Sequence, residues 1–440
     1  MKKTSVKSIL CATIVVALSS CSDGLNKKIS TTVDAASIAA NATLSNAEKA
    51  EKLAKASEQL LTGQGFSYAS DVADLALQKD STNVRAQFVK AIIGPIMAYK
   101  GIYRRVKPLA DLDKQSSVKY TQAIAKFEAE VPNSTIKEFL LDGSEDLRNE
   151  SDVQNYLDSV ADSFKAIRLF SKANMNSELT FMASDTLFAT MQKRYSEACK
   201  IRELGKYSYE MDCPSSKNFM QLKMNRADFI AIQHIAAGFE LYYSLLNSYN
   251  LTGSIEKALS SQGQYQNAKT VLEDLLENKE FATIRDGNGF RKVKEMGLDA
   301  IAGVRWVMQN QNSLCPMGKM SAQNRIGMLI SQGLCSDKST TAEQNSKNIS
   351  QAQDLLSGKV FDNVSVQKKQ INGAAVEEYK TSVRPLALFE TPVADLRALI
   401  PTTHDNCGNG TAIQDNTVSG LLINGDFNKI LEIQTHCGSK

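Results

Sequence analysis

The sequence predicts a mainly α protein, an irregular array of helix hairpins with small β-hairpin insertions and a C-terminal β-hairpin. Three observations point there. Apolar residues recur at i, i+3, i+4, i+7 and i+8 in Ala69, Val72, Ala73, Ala76 and Leu77, the pattern of a one-faced helix. Cap signals precede such stripes, as in Ser45-Asn46-Ala47-Glu48, where serine oxygen and glutamate can satisfy opposite orphan donors of a new helix. Near the other end, Val364–Ile371 and Ala374–Val383 flank Asn372-Gly373, the dipeptide of two-residue hairpin turns.

The first helix is expected from Ser45 to about Leu61, with Ala50, Leu53, Ala54, Leu60 and Leu61 on one stripe, and the second runs through Ala69 to Leu77. Between them, Gly63 and Gly65 break the pattern. Asn83 opens a longer helix to about Arg105, which Gly94-Pro95 should kink or interrupt because proline lacks a backbone donor. Further helices are expected near Val118–Val131 and Val153–Ala173, the latter capped by Ser151. In Glu178–Met224 the texture changes. A hairpin turning near Gly205 would set Cys199 opposite Cys213, although Leu187–Arg202 also fits a helix. Asn225 then caps an apolar helix to about Tyr249, and others follow at Phe290–Gln309 and Thr341–Ser357. Pro392–Leu399 reads as a short helix, and the glycine-rich remainder as loop.

The first repeat region resembles a tetratricopeptide repeat. Phe66 three residues before Ala69, Ala76-Leu77 and the closing Asp80-Ser81-Thr82-Asn83 match that family's second helix and exit turn. Ser81 replaces the usual proline, and Gln64 stands where the turn glycine belongs. Gly263-Gln264-Tyr265 followed by Ala268, Val271, Leu272, Leu275 and Leu276 repeats the same offsets. Two such units so far apart imply a repeat-like fold with long insertions, not a uniform solenoid.

The N-terminus carries an address. Lys2, Lys3 and Lys7 precede an apolar run from Ile9 to Leu18, ending in Leu18-Ser19-Ser20-Cys21. A basic start, roughly 7–15 apolar residues and small residues before a cut mark a secretory signal. The ending resembles the lipobox of bacterial lipoproteins, which implies cleavage before Cys21 and its diacylation and N-acylation by chains such as palmitate. With Ser22 next, the same resemblance favours the outer membrane, since aspartate there retains lipoproteins in the inner one. The expected organisation is a signal peptide (1–20), a flexible tether (21–43), a helical domain (44–358) with an insertion near 178–224, and a hairpin-and-loop region (359–440).

Charge and cysteine usage fit this address. The three signal lysines account for the formal net charge of +3, so the remaining chain is balanced. That balance excludes a general electrostatic attraction to nucleic acid. Beyond Cys11 and Cys21, six cysteines fall as three local couples, Cys199 with Cys213, Cys315 with Cys335 and Cys407 with Cys437. In an oxidising compartment each couple is expected to form a disulfide, worth about 3 kcal/mol by chain entropy. His404 and His436 beside Cys407 and Cys437 offer a zinc alternative, but the spacing is no standard zinc module. Asp405 to Gly410 lacks a calcium loop's ligands, with Cys407 in a ligand position and Asn416 in place of the bidentate glutamate. His234 lies on an apolar helix and Glu377-Glu378 on a hairpin strand, where core and solvated roles suffice. No phosphate loop, nucleophile elbow or paired-histidine motif appears, so no cofactor or catalytic residue is assigned. The expectation is a non-enzymatic envelope lipoprotein that binds another protein, with capture of a glycan or peptide for an uptake system as the alternative.

Overall fold

The structure is a computed structural model that describes residues 28–61, 65–130, 135–184, 200–214, 219–255, 277–310, 342–368, 377–399, 415 and 417–424. The chain divides into two compact units. One comprises Met1–Arg148, Ser159–Glu240 and Val307–Ser339, and the other Asn149–Asp158, Leu241–Trp306 and Thr340–Lys440. This division cuts across the expected boundary at 358–359, because the C-terminal hairpin shares a unit with the two helices that precede it.

The first unit begins where a tether was expected. Strand β1 (Lys28–Asp34) leads into helix α1 (Ala35–Ala40), so regular structure occupies much of 21–43. Asp34 caps α1, accepting from the Ser37 N–H at 3.1 Å and its hydroxyl at 2.5 Å. Those bonds hold its carboxyl below the usual range. The polar composition of this stretch concealed the alternation of Ile29, Thr31 and Val33, and the pairing partner lies far along the chain.

Helices α2 (Asn46–Gln59), α3 (Phe66–Lys79) and α4 (Val84–Ala98) form the expected hairpin and its extension. The capping box is present: Ser45 Oγ accepts from the Glu48 N–H at 3.3 Å, and Glu48 Oε2 from the Ser45 N–H at 2.9 Å. Leu53 and Ala54 on one helix, Leu60 just past its end, and Ala69, Val72, Ala73 and Ala76 on the next are fully buried. Small side chains there let the helix backbones approach closely. Helix α4, capped by Asn83 at 2.9 Å, runs unbroken through Pro95 to Ala98, contrary to the expected interruption and short of Arg105. Proline forfeits only one intrahelical bond within a turn of the helix end, and a buried position holds it in place.

The chain turns instead at Gly101, whose φ is +65°. A Cβ there would lie 2.4 Å from Gly143 Cα, so glycine is required both by conformation and by the close approach of two backbones. Gly101→Ala is expected to cost at least about 1–2 kcal/mol from the left-handed conformation alone, read as a lower denaturation midpoint by circular dichroism. Short helices α5 (Ile102–Arg105) and α6 (Lys107–Ala110) follow, then α7 (Lys114–Glu130), α8 (Thr135–Leu141) and α9 (Glu150–Ala173). Asn149, not Ser151, caps α9, its Oδ1 accepting from the Asp152 N–H at 2.9 Å.

Strands β2 (Leu179–Ser184), β3 (Lys200–Gly205), β4 (Ser208–Pro214) and β5 (Phe219–Met224) make up the insertion. β3 and β4 form the expected hairpin, turning at Lys206 and Tyr207, with Tyr207 at φ +62°. The sheet order is β1-β4-β3, with β2 and β5 as a separate antiparallel pair. Val33, Tyr209, Met211 and Phe181 from these sheets join the buried side chains of α2, α3 and α4 in one core. Helix α10 (Arg226–Leu246) is capped by Asn225 as expected. By length and composition it is apolar enough to cross a membrane, yet it buries Asp228, Gln233 and Glu240 at 1–3% exposure. Glu240 Oε2 accepts from Arg168 Nε at 2.6 Å, a bond suited to a core helix.

In the second unit, α11 (Asn288–Gln309) and α12 (Ala342–Leu356) match the expected helices. Strands β6 (Phe361–Lys368) and β7 (Glu377–Val383) pair antiparallel, with Lys368 opposite Glu377. That register is the one a turn centred on Asn372-Gly373 requires, and the turn itself lies outside the described residues. Past Pro385 come helix α13 (Ala387–Glu390) and a 3-10 turn (Leu396–Leu399), a shorter helical stretch than Pro392–Leu399. The second tetratricopeptide-like stretch, residues 263–276, also lies outside the described residues.

Candidate binding cleft

Within the second unit, α11, α12 and the segment after β7 enclose a cleft of about 380 Å³. Gly297 brings the first two walls together. A Cβ at that position would lie 2.6 Å from Leu356 Cδ1, so a larger residue would require the Leu356 side chain to move. Ala300 and Ile301 continue this wall one turn along α11, and Ala352, Leu355 and Leu356 form the facing one. Helix α12 stops at Gly358, φ +80°, as its last carbonyls accept from Gly358 N–H at 3.3 Å and Lys359 N–H at 3.1 Å. A left-handed glycine just past a helix is the expected terminator. The hairpin β6–β7 then returns the chain, and Pro385, Leu386 and Phe389 close the third side.

Every lining side chain among the described residues is apolar. What these described residues offer is removal of apolar surface from water. Leu355 remains 41% exposed on its wall, so an occupant would cover surface now wet. Among the described residues, charge lies beside the lining and not in it. Glu390 takes Arg384 Nη2 at 2.6 Å and Lys294 Nζ at 3.5 Å, so one carboxylate is shared by two cations. Lys359 pairs with Asp354 at 2.6 Å, and Arg305 donates to Gln353 at 2.5 Å.

A polar network stiffens the connection from α10 to α11 in the same unit. Asn247 Nδ2 donates to the Gln154 carbonyl at 2.7 Å and to Asp158, and Arg285 Nη1 pairs with Asp158 at 2.8 Å. Tyr249 packs edge-on against Phe290 at 5.8 Å and donates its hydroxyl to the Val393 carbonyl at 2.9 Å. Burial raises its pKa, so the phenol stays a neutral donor. Asp395 is held below the usual carboxylate range by its bonds from Arg397, which also donates to the Asn278 carbonyl at 2.9 Å.

The residues singled out from sequence are dispersed. Cys21, Cys199, Cys315, Cys335, Cys407, Cys437, His404 and His436 lie outside the described residues. Cys213 is 3% exposed and disulfide-bonded. No disulfide has both its cysteines among the described residues. The expected Cys199–Cys213 pairing involves Cys199, which lies outside the described residues. His234 is half-buried on α10, apart from the cleft's lining. Among the described residues no group of three or more His, Cys, Asp or Glu is placed to hold a metal ion. The cleft itself had one weak sequence signal, Gly297 in the middle of an otherwise helical pattern, which marks a close approach.

Comparison of the chain with protein-family models, with curated proteins and with solved structures yields no match.

Proposed function

We propose that this chain is a membrane-anchored envelope lipoprotein, attached through acylated Cys21, whose helix-hairpin body is a non-catalytic scaffold for another protein. The observation that carries the reading is the stack of α2, α3 and α4. Its helices meet through fully buried alanines, as tetratricopeptide-like repeats do, and helix-pair arrays of that kind present extended surfaces to protein partners. Ser22 favours the outer membrane as its site. Only six residues separate Cys21 from β1, a link that spans at most about 20–25 Å. The body would thus stand close to the bilayer.

Two measurements test this. Cys21→Ala is expected to abolish metabolic labelling with a palmitate analogue and to shift the protein from the membrane to the soluble fraction. Retention of label or of membrane association would refute the anchor. Affinity capture at native expression level is expected to recover one stoichiometric envelope protein, and recovery of none would refute the scaffold.

A second reading, capture of a small ligand for uptake, is favoured by the cleft. Its lining argues for an apolar ligand over a glycan. Sugar recognition needs polar partners and aromatic platforms, and among the described residues Phe389 is the sole aromatic residue of the lining.

A further inference from the structure

We propose that the α11–α12 cleft binds the aliphatic chain of a free fatty acid, with its carboxylate held at Arg384 and Lys294. The first ground is chemical. A peptide backbone, a sugar or a nucleotide seated among Gly297, Ile301, Leu356, Leu386 and Phe389 would bury donors and acceptors that none of these side chains can satisfy, at about 1–3 kcal/mol for each. An aliphatic chain carries no such groups. The second ground is size. The volume of about 380 Å³ falls at the lower end of small-ligand pockets, roughly 300–1,000 Å³, and suits one chain better than a two-chain lipid.

The third ground is charge, and it selects the head group. At the Pro385–Phe389 side, Glu390 is bonded by both Arg384 and Lys294, which leaves one excess positive charge. Both cations are well exposed, at 41% and 46%. Glu390 already shows that a carboxylate seats on the Arg384 guanidinium at 2.6 Å. Its planar fork suits a second carboxylate as well. Arg384 adjoins Pro385 of the lining in the chain, and Lys294 lies about one turn before Gly297 on α11. The assignment does not depend on the scaffold reading or on acylation of Cys21.

The test is calorimetric titration of the full chain carrying Cys21→Ser, stripped of co-purifying lipid, with octanoate, decanoate and dodecanoate below their micelle concentrations. Each added methylene is expected to tighten binding about three- to fourfold until the cleft is full. Arg384→Gln is expected to weaken dodecanoate about tenfold or more while leaving dodecanol unchanged, because only the carboxylate uses that side chain. Ala352→Phe and, independently, Ala300→Phe fill the cleft and are expected to remove saturable binding with the far-ultraviolet circular dichroism intact. Two filling variants and the chain-length series on the unsubstituted cleft keep the result decisive should one variant misfold. Absence of saturable dodecanoate binding, affinity independent of chain length, or binding that survives both filling variants would each overturn the proposal. So would binding of lysophosphatidylglycerol or oligosaccharides without binding of the fatty acid.

Discussion

Arg168→Met is expected to destabilise the first unit by about 3–5 kcal/mol, the usual result of removing one partner of a buried ion pair. Arg168 and Glu240 are 8% and 1% exposed at their side chains and meet at 2.6 Å. A second bond, Nη2 to Oε1 at 3.4 Å, makes the contact two-pronged. Without the guanidinium, the buried Glu240 carboxylate loses its two-pronged partner, which disfavours the folded state. The double variant Arg168→Met with Glu240→Leu is expected to recover most of the loss, since a well-packed apolar pair replaces a desolvated ionic one at little net cost. Urea denaturation followed at 222 nm measures both. A single-variant loss under 1 kcal/mol would show that water reaches the pair.

Phe88→Ala is expected to cost about 3–5 kcal/mol, from lost transfer free energy and the cavity left behind. Phe88 is 2% exposed. It lies 5.6 Å from Phe170 and 5.0 Å from Phe181, edge-on to the latter, so one ring joins α4, α9 and β2. Aromatic pairs of this geometry add about 0.5–1.5 kcal/mol beyond area. Phe88→Leu is expected to lose less, because most of the volume stays. Equal losses for the two variants would show that retained volume does not help and that the loss is specific to the aromatic ring.

Features set by neighbours in the sequence were the readable ones. The Ser45–Glu48 capping box, the stripe on α3, the Asn83 and Asn225 caps and the two hairpins each depend on residues a few positions apart. Features set by distant partners were not. Lys28–Asp34 is short, polar and rich in serine and threonine, and it becomes a strand only because residues 208–214 lie alongside it. Ser151 and Asn149 are both competent caps, and geometry, not composition, chose between them. Pro95 signals a break that a buried site close to the helix end tolerates. The cleft draws on three stretches of chain that no local pattern links, and its charged flank needs Lys294 beside Glu390, 96 positions apart.

The pairing of β1 with β4 has a consequence for the timing of assembly. Asp34 lies opposite Ser208, 174 positions later, and Lys28 opposite Pro214. At synthesis rates of roughly 5–20 residues per second, β1 waits about 10–35 s for its partner to exist. Through that interval its donors and acceptors bond to water, and its free edge is open to any other extended chain. The strand nearest the N-terminus among the described residues is made well before its partner. Closure of the β1-β4-β3 sheet is therefore a non-local and slow step, and it decides when the N-terminal end of the body becomes fixed.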